Sequence, residues 1–182
     1  MKSILLIVMI AIGSITTTQA QTFTTKNGKV SFFSKTALED ISAVNNQVVS
    51  VLDSKTGSML FSIQVGGFLF KKALMQEHFN EDYMESGKYP KATFKGTISD
   101  ISKVNFAKDG NYTVSVSGNL AIHGVSNKVT VPGTISIVGG KVNATATFNI
   151  LLADYKIDIP NASAANISKT IEIKVDCNYL PK

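Results

Sequence analysis

The stretch Leu74–Gly96, LMQEHFNEDYMESGKYPKATFKG, gathers the residue types best able to do chemistry: His78, with Glu77, Glu81, Asp82 and Glu85 about it. Carboxylates spaced three and four residues from an imidazole share one side of a helix, so Glu81 and Asp82 can both meet His78. That arrangement could hold a metal or exchange a proton. Zinc takes three or four ligands from His, Cys or carboxylate, and His123, in AIHGVS, is the single other histidine. A metal-dependent hydrolase built on His78 with Glu81 or Asp82 is one reading. Acid–base work also needs a group whose pKa is moved by burial or by a neighbour. These acids flank an apolar stripe on its solvent side, which argues against desolvation. No G-x-S-x-G, H-E-x-x-H, C-x-x-C or glycine-rich phosphate loop occurs in the chain. The favoured reading makes His78 a helix residue that hydrogen-bonds near a rim. It assigns no catalytic residue, no metal and no cofactor.

The start of the chain sets an expectation about compartment. Lys2 precedes an apolar run from Ile4 to Ile12, and Thr18-Gln19-Ala20 supplies small residues before Gln21. This reads as a cleavable signal peptide over residues 1–20, with a periplasmic or secreted single domain over 21–182. The apolar run is far shorter than the ~20 residues of a membrane helix, so no transmembrane segment is expected after signal removal. The remaining chain has 17 lysines against 13 acids, a net +4. Its basic residues form no dense patch interleaved with aromatics, which excludes nucleic acid as a partner. Arginine is absent, so no planar fork is available for a phosphate or carboxylate. Cys177 is the sole cysteine and lies in an apolar row of TIEIKVDCNY, where a buried, inert thiol is expected.

The elements that position these residues follow a period of two. Val142, Ala144, Ala146, Phe148 and Ile150 alternate with Asn143, Thr145, Thr147 and Asn149. Tyr112, Val114 and Val116, Val129 and Val131, Phe94 and Ile98, and Phe61 and Ile63 repeat the pattern in other runs. These are half-buried antiparallel strands. Short separate strands are expected at Lys29–Lys35, Ile41–Asn45 and Val48–Asp53, a tight hairpin at Gly139-Gly140, and a bulge or edge at Pro132. The Ala37–Ala43 region fits either helix or strand. One segment, Lys71–Ser86, reads as an amphipathic helix, with Met75, Phe79 and Tyr83 as its apolar stripe and Glu77, Glu81 and Glu85 as a solvated one.

Eight or nine such strands with one helix favour an all-β, closed antiparallel eight-stranded barrel, because closure removes exposed edges. The polar row faces water and the apolar row faces inward, giving a soluble barrel. A barrel of this size is either filled by side chains or holds one small ligand, and strand parity alone leaves both open. A filled barrel would act through its surface as an interaction module. A hollow one would take an apolar chain: ten buried methylenes are worth roughly 8 kcal/mol before ordering costs, enough to dispense with a strong head-group contact.

The segments GKVSFFSKTALEDISAVNN, ALMQEHFNEDYMESGKYPKATFKG and LAIHGVSNKVTVPGTISI resemble successive parts of the YceI-like, lipid/polyisoprenoid-binding family. The resemblance implies a lipocalin-like barrel, exported by bacteria, that encloses a polyisoprenoid, quinone or fatty-acyl chain. It makes the inward residues Phe61, Ile63, Phe94, Val114, Val116, Ile135, Ala144, Phe148, Ile173 and Val175 candidates for the cavity lining. Met75, Phe79 and Tyr83 become the candidate gate.

Overall fold

The computed structural model describes residues 21–181, so the expected signal peptide lies outside the described residues. Among the described residues nine strands run β1 Thr22–Lys35, β2 Asp40–Asp53, β3 Ser58–Gln64, β4 Leu69–Phe70, β5 Lys91–Ile98, β6 Gly110–Ile122, β7 Val125–Val138, β8 Lys141–Leu151 and β9 Thr170–Pro181. All pairings are antiparallel, in the order β1-β9-β8-β7-β6-β5-β3-β2, and β1 pairs back onto β2. Eight strands therefore close a barrel. The two-residue β4 is appended to the upper part of β2, through Ala43↔Phe70 and Val44↔Leu69.

The expected short strands at Lys29–Lys35, Ile41–Asn45 and Val48–Asp53 are parts of two long ones. The parity of buried residues changes within β1 between Thr25 and Gly28, and within β2 between Asn45 and Val48. A bulge adds a residue and switches the inward face without ending the strand, which sequence periodicity reads as a break. Asn45 supports that switch. It is fully buried, its Nδ2 donates to the Gln64 carbonyl at 2.8 Å, and its Oδ1 accepts from the Gln47 amide at 2.8 Å. Residues 36–39 form the turn between β1 and β2.

Pro132 is paired with Ser115 of β6, and β7 begins its pairing with β8 only at Gly133↔Ala146. The proline lacks an N–H for the second neighbour, so it makes an edge and no register shift is found there. Beyond it β7 and β8 part. The gap is covered by a short 3-10 turn, Leu152–Tyr155, tied down where Asn127 Nδ2 donates to the Asp154 carbonyl at 2.6 Å. Gly139 and Gly140 take φ of 55° and 75°, the left-handed pair that a two-residue hairpin requires.

The two ends of the barrel differ. At the lower end Phe23, Leu52, Ile98, Val104, Ile137, Val142 and Tyr179 pack as one buried cluster, and Phe106 stacks on Phe23 with centroids 5.4 Å apart. That is a sealed floor. The long connections, 65–90 and 152–169, both lie at the upper end. The first of them carries α1, Ala73–His78, which widens into a π-helical turn over Phe79–Tyr83. The expected helix over Lys71–Ser86 is thus shorter, and its second half is wound more loosely.

Opposed glycines shape the middle of the wall. Gly96 and Gly118 face each other across β5 and β6, and the Phe94 ring lies over both. A Cβ on Gly118 would stand 2.4 Å from the Gly96 Cα and from the Lys95 carbonyl, and backbone cannot move aside as a side chain can. Gly118→Ala is expected to lower stability by about 1–3 kcal/mol, as measured by the urea midpoint at unchanged m-value.

Candidate functional site

The inward rows surround a space that they do not fill. A cavity of about 360 Å³ runs up from the floor to the helix end of the barrel, within the ~300–1,000 Å³ range of ligand pockets. Buried side chains split into three clusters around it: the floor, a group containing Leu120, Ile150, Tyr155 and Ile171, and a group containing Val30, Val48, Ile63 and Phe68. Phe61, Phe94, Val114, Phe148 and Ile173 point inward yet are only half-buried. They border empty space, where a solid core would have covered them. The interior is hollow.

All ten residues proposed for the lining from strand parity border this cavity: Phe61, Ile63, Phe94, Val114, Val116, Ile135, Ala144, Phe148, Ile173 and Val175. The three candidate gate residues, Met75, Phe79 and Tyr83, border it as well. Phe79 belongs to an aromatic group, stacked on Phe32 at 5.4 Å and packed on Phe68 and Phe70 at 5.6 and 5.0 Å. That group holds the helix against β1 and β4. Sequence parity missed Phe32, Phe68 and Phe70. Phe32 has Phe33 beside it, so the pair alone does not say which ring points in; Phe68 lies in a loop, and Phe70 lies in a two-residue strand too short to alternate.

Apart from Thr134 and Thr145 in the β7–β8 wall, the polar residues of the lining lie toward the upper end: Ser34, Glu39, His78, Ser163 and Asn166. Glu39 Oε1 accepts from Lys72 Nζ at 3.1 Å, linking the β1–β2 turn to the start of α1. Ser34 is buried, and its Oγ accepts from the Ser168 amide at 2.9 Å, which anchors the 152–169 connection to β1.

The acidic cluster separates into two pairs. His78 Nδ1 lies 2.6 Å from Asp82 Oδ2, and both side chains are about half exposed. Glu77 and Glu81 are exposed, but Glu85 departs from the solvated stripe: its Oε2 lies 3.0 Å from His123 Nε2. The His123 Nδ1 faces the Tyr155 carbonyl at 3.2 Å, and its ring meets Tyr89 edge-on at 4.6 Å. His123 sits in the β6–β7 turn with φ of 51°, and Glu85 has φ of 41°. Two residues in left-handed backbone hold one another, and through them the helix, a hairpin and the cover over the β7–β8 gap meet. Sequence reading could not see this, because Glu85 and His123 are 38 residues apart. Among the described residues no three of His, Cys, Asp or Glu gather as a metal would require.

Cys177 is fully buried at the floor beside Gly28. Burial, aided by the Asp176 charge, pushes its thiol up to about 12. Tyr179, also buried, is shifted upward by desolvation against the partial relief of its 2.7 Å hydrogen bond with Ser50.

Comparison with known proteins agrees with this geometry. A family model described as a YceI-like domain matches residues 9–179. A UPF0312 protein of Vibrio parahaemolyticus is 29% identical over 89 residues, which is 46% of this chain and 43% of the relative. The chain thus matches less than half the length of that curated relative. Among solved structures, a polyisoprenoid binding domain from Saccharophagus degradans implicated in plant cell wall breakdown superposes with a TM-score of 0.77. It is 14% identical, and the match covers 90% of this chain and 100% of that one. BcnA of Burkholderia cenocepacia gives 0.69 at 21% identity, covering 84% and 96%. The YCEI protein of Campylobacter jejuni gives 0.57 at 17%, covering 100% and 99%.

Two outcomes follow from these contacts. His123→Ala removes hydrogen bonds at a half-buried junction and is expected to cost about 1–2 kcal/mol of stability, read by chemical denaturation. The second concerns alkali. The folded thiol and phenol hold their protons above the pH at which the unfolded chain releases them, so their contribution is complete below the thiol's ordinary 9.0 and declines as pH rises. Denaturation midpoints should be level near neutrality and fall above about pH 9, with Cys177→Ala flattening the fall.

Proposed function

This chain belongs to the YceI-like family, and from that premise we propose that it is an exported carrier, periplasmic or secreted, that encloses one apolar chain in its barrel. The guest is a polyisoprenoid, quinone or fatty-acyl molecule, and the protein performs no chemistry on it. The single observation that carries this reading is the hollow of about 360 Å³ bordered by Val, Ile and Phe. The solved relative whose name includes polyisoprenoid binding supports the choice of guest class. The apolar floor would receive the tail, and the polar rim near Ser34 and Glu39 would receive the other end.

The physical argument is one of unfilled volume. An empty apolar space forgoes contacts in proportion to its size, and a guest chain restores them at ~0.8 kcal/mol per methylene before its ordering cost. Water cannot substitute, because a wall of hydrocarbon offers it no hydrogen-bond partners. A surface-interaction module needs no such hollow, and a hydrolase needs a desolvated acid–base pair, whereas His78 and Asp82 are about half exposed.

Protein purified from its host is expected to carry an extractable lipid, identified by mass spectrometry after denaturation. Delipidated protein should melt at a lower temperature and recover on adding a prenyl or acyl chain. Ala146 lines the hollow and is only half-buried there, so Ala146→Trp should occupy it. That variant is expected to fold yet lose at least about tenfold in affinity for the same chain. A delipidated protein that takes up no prenyl or acyl probe would remove the proposal.

A further inference from the structure

The mouth of the cavity differs electrically from the rest of the molecule. The chain has 18 lysines against 13 acids, yet among the described residues no lysine lines the cavity. The ionisable side chains that do are Glu39, His78 and Tyr83. The Glu39 side chain is 29% exposed at the rim and already accepts from Lys72. His78 is already committed to Asp82. Glu77 and Glu81 on the adjoining helix, like Lys35 and Lys71, are exposed outside the lining, so Glu39 is the one carboxylate that borders the cavity among the described residues.

We propose that the cavity selects chains with an uncharged polar head, an alcohol, quinone, amide or ester, over chains ending in phosphate or carboxylate, and that Glu39 sets this selection. The inference rests on the carrier reading above. A phosphate brought to the mouth meets the Glu39 carboxylate, and it gains Lys72 only by taking it from Glu39. With arginine absent, no guanidinium fork offsets that repulsion. A neutral oxygen meets a different reception. Ser34 lines the cavity and accepts a hydrogen bond from Ser168, so its own hydroxyl hydrogen is left to donate inward. Ser163 and Asn166 add further donors and acceptors at the same level.

The test uses the delipidated full domain, with geranylgeraniol and geranylgeranyl monophosphate displacing an environment-sensitive dye. The two probes share a tail and differ only in the phosphate. The alcohol is expected to bind at least about tenfold more tightly. Glu39→Gln should release Lys72, raise affinity for the monophosphate severalfold and leave the alcohol unchanged. Lys72→Gln should widen the gap, since Glu39 is then unpaired. Equal affinities, or a preference for the monophosphate, would overturn the selection while leaving the carrier reading intact. A gap that Glu39→Gln does not narrow would overturn the role of Glu39. Failure of both probes to bind would instead count against the carrier reading itself.

Discussion

The pairing of β1 with β2 is the contact on which the rest of the structure depends. The two strands stay together from Thr22↔Asp53 to Lys35↔Asp40, and that ladder converts a nine-stranded sheet into a closed wall. Without it the same strands would present two edges and one oily face, which water and other chains would both contest. Closure gives the apolar rows of β3, β5, β6, β7, β8 and β9 a shared inside. The bulges in β1 and β2 let these long strands keep an inward face while curving, at the expense of one locally broken ladder in each.

Why the inside stays open follows from the residues in those rows. Gly96, Gly118, Gly133, Ala144 and Ala146 face inward next to Phe61, Phe94 and Phe148. Rings laid over glycines widen the wall without reaching the opposite side, as Phe94 does over Gly96 and Gly118. At the floor the pattern changes. Leu52, Ile98, Ile137 and Tyr179 are large and packed against Val104 from the loop beneath. One end is therefore plugged by side chains, and the other is covered only by connections, which makes the helix end the route for any guest.

Much of this was legible in the sequence, because period two specifies which residues share a face even when it misplaces strand ends. In TIEIKVDCNY, parity puts Ile171, Ile173, Val175, Cys177 and Tyr179 on one face, and they run in order from the mouth to the floor. Whether that face encloses a hollow was not legible, since the alternation is the same for a solid core. Three further features escaped for stated reasons. A bulge mimics a strand break, as at Asn46-Gln47. A loop or a two-residue strand without alternation hides its inward residues, as with Phe68 and Phe70. A contact between residues distant in the chain leaves no local trace, as with Glu85 and His123.

That last contact explains how a cover made of loops stays in place. Loops have few ladder hydrogen bonds and tend to open first. Here the cover is fastened at discrete points: Glu39 to Lys72, Ser34 to Ser168, Asn127 to Asp154, and His123 to both Glu85 and Tyr155. Each fastening joins a connection either to a barrel strand or to a strand-joining turn. Together they surround the aromatic group of Phe32, Phe68, Phe70 and Phe79, which packs by contact alone. Contact of that kind tolerates a shift of a ring, whereas the hydrogen bonds resist displacement of the backbone. The cover can therefore yield at the rings between fixed points without unthreading a strand of the wall. A barrel that admits a chain, as proposed for this one, and remains a barrel needs that division of labour.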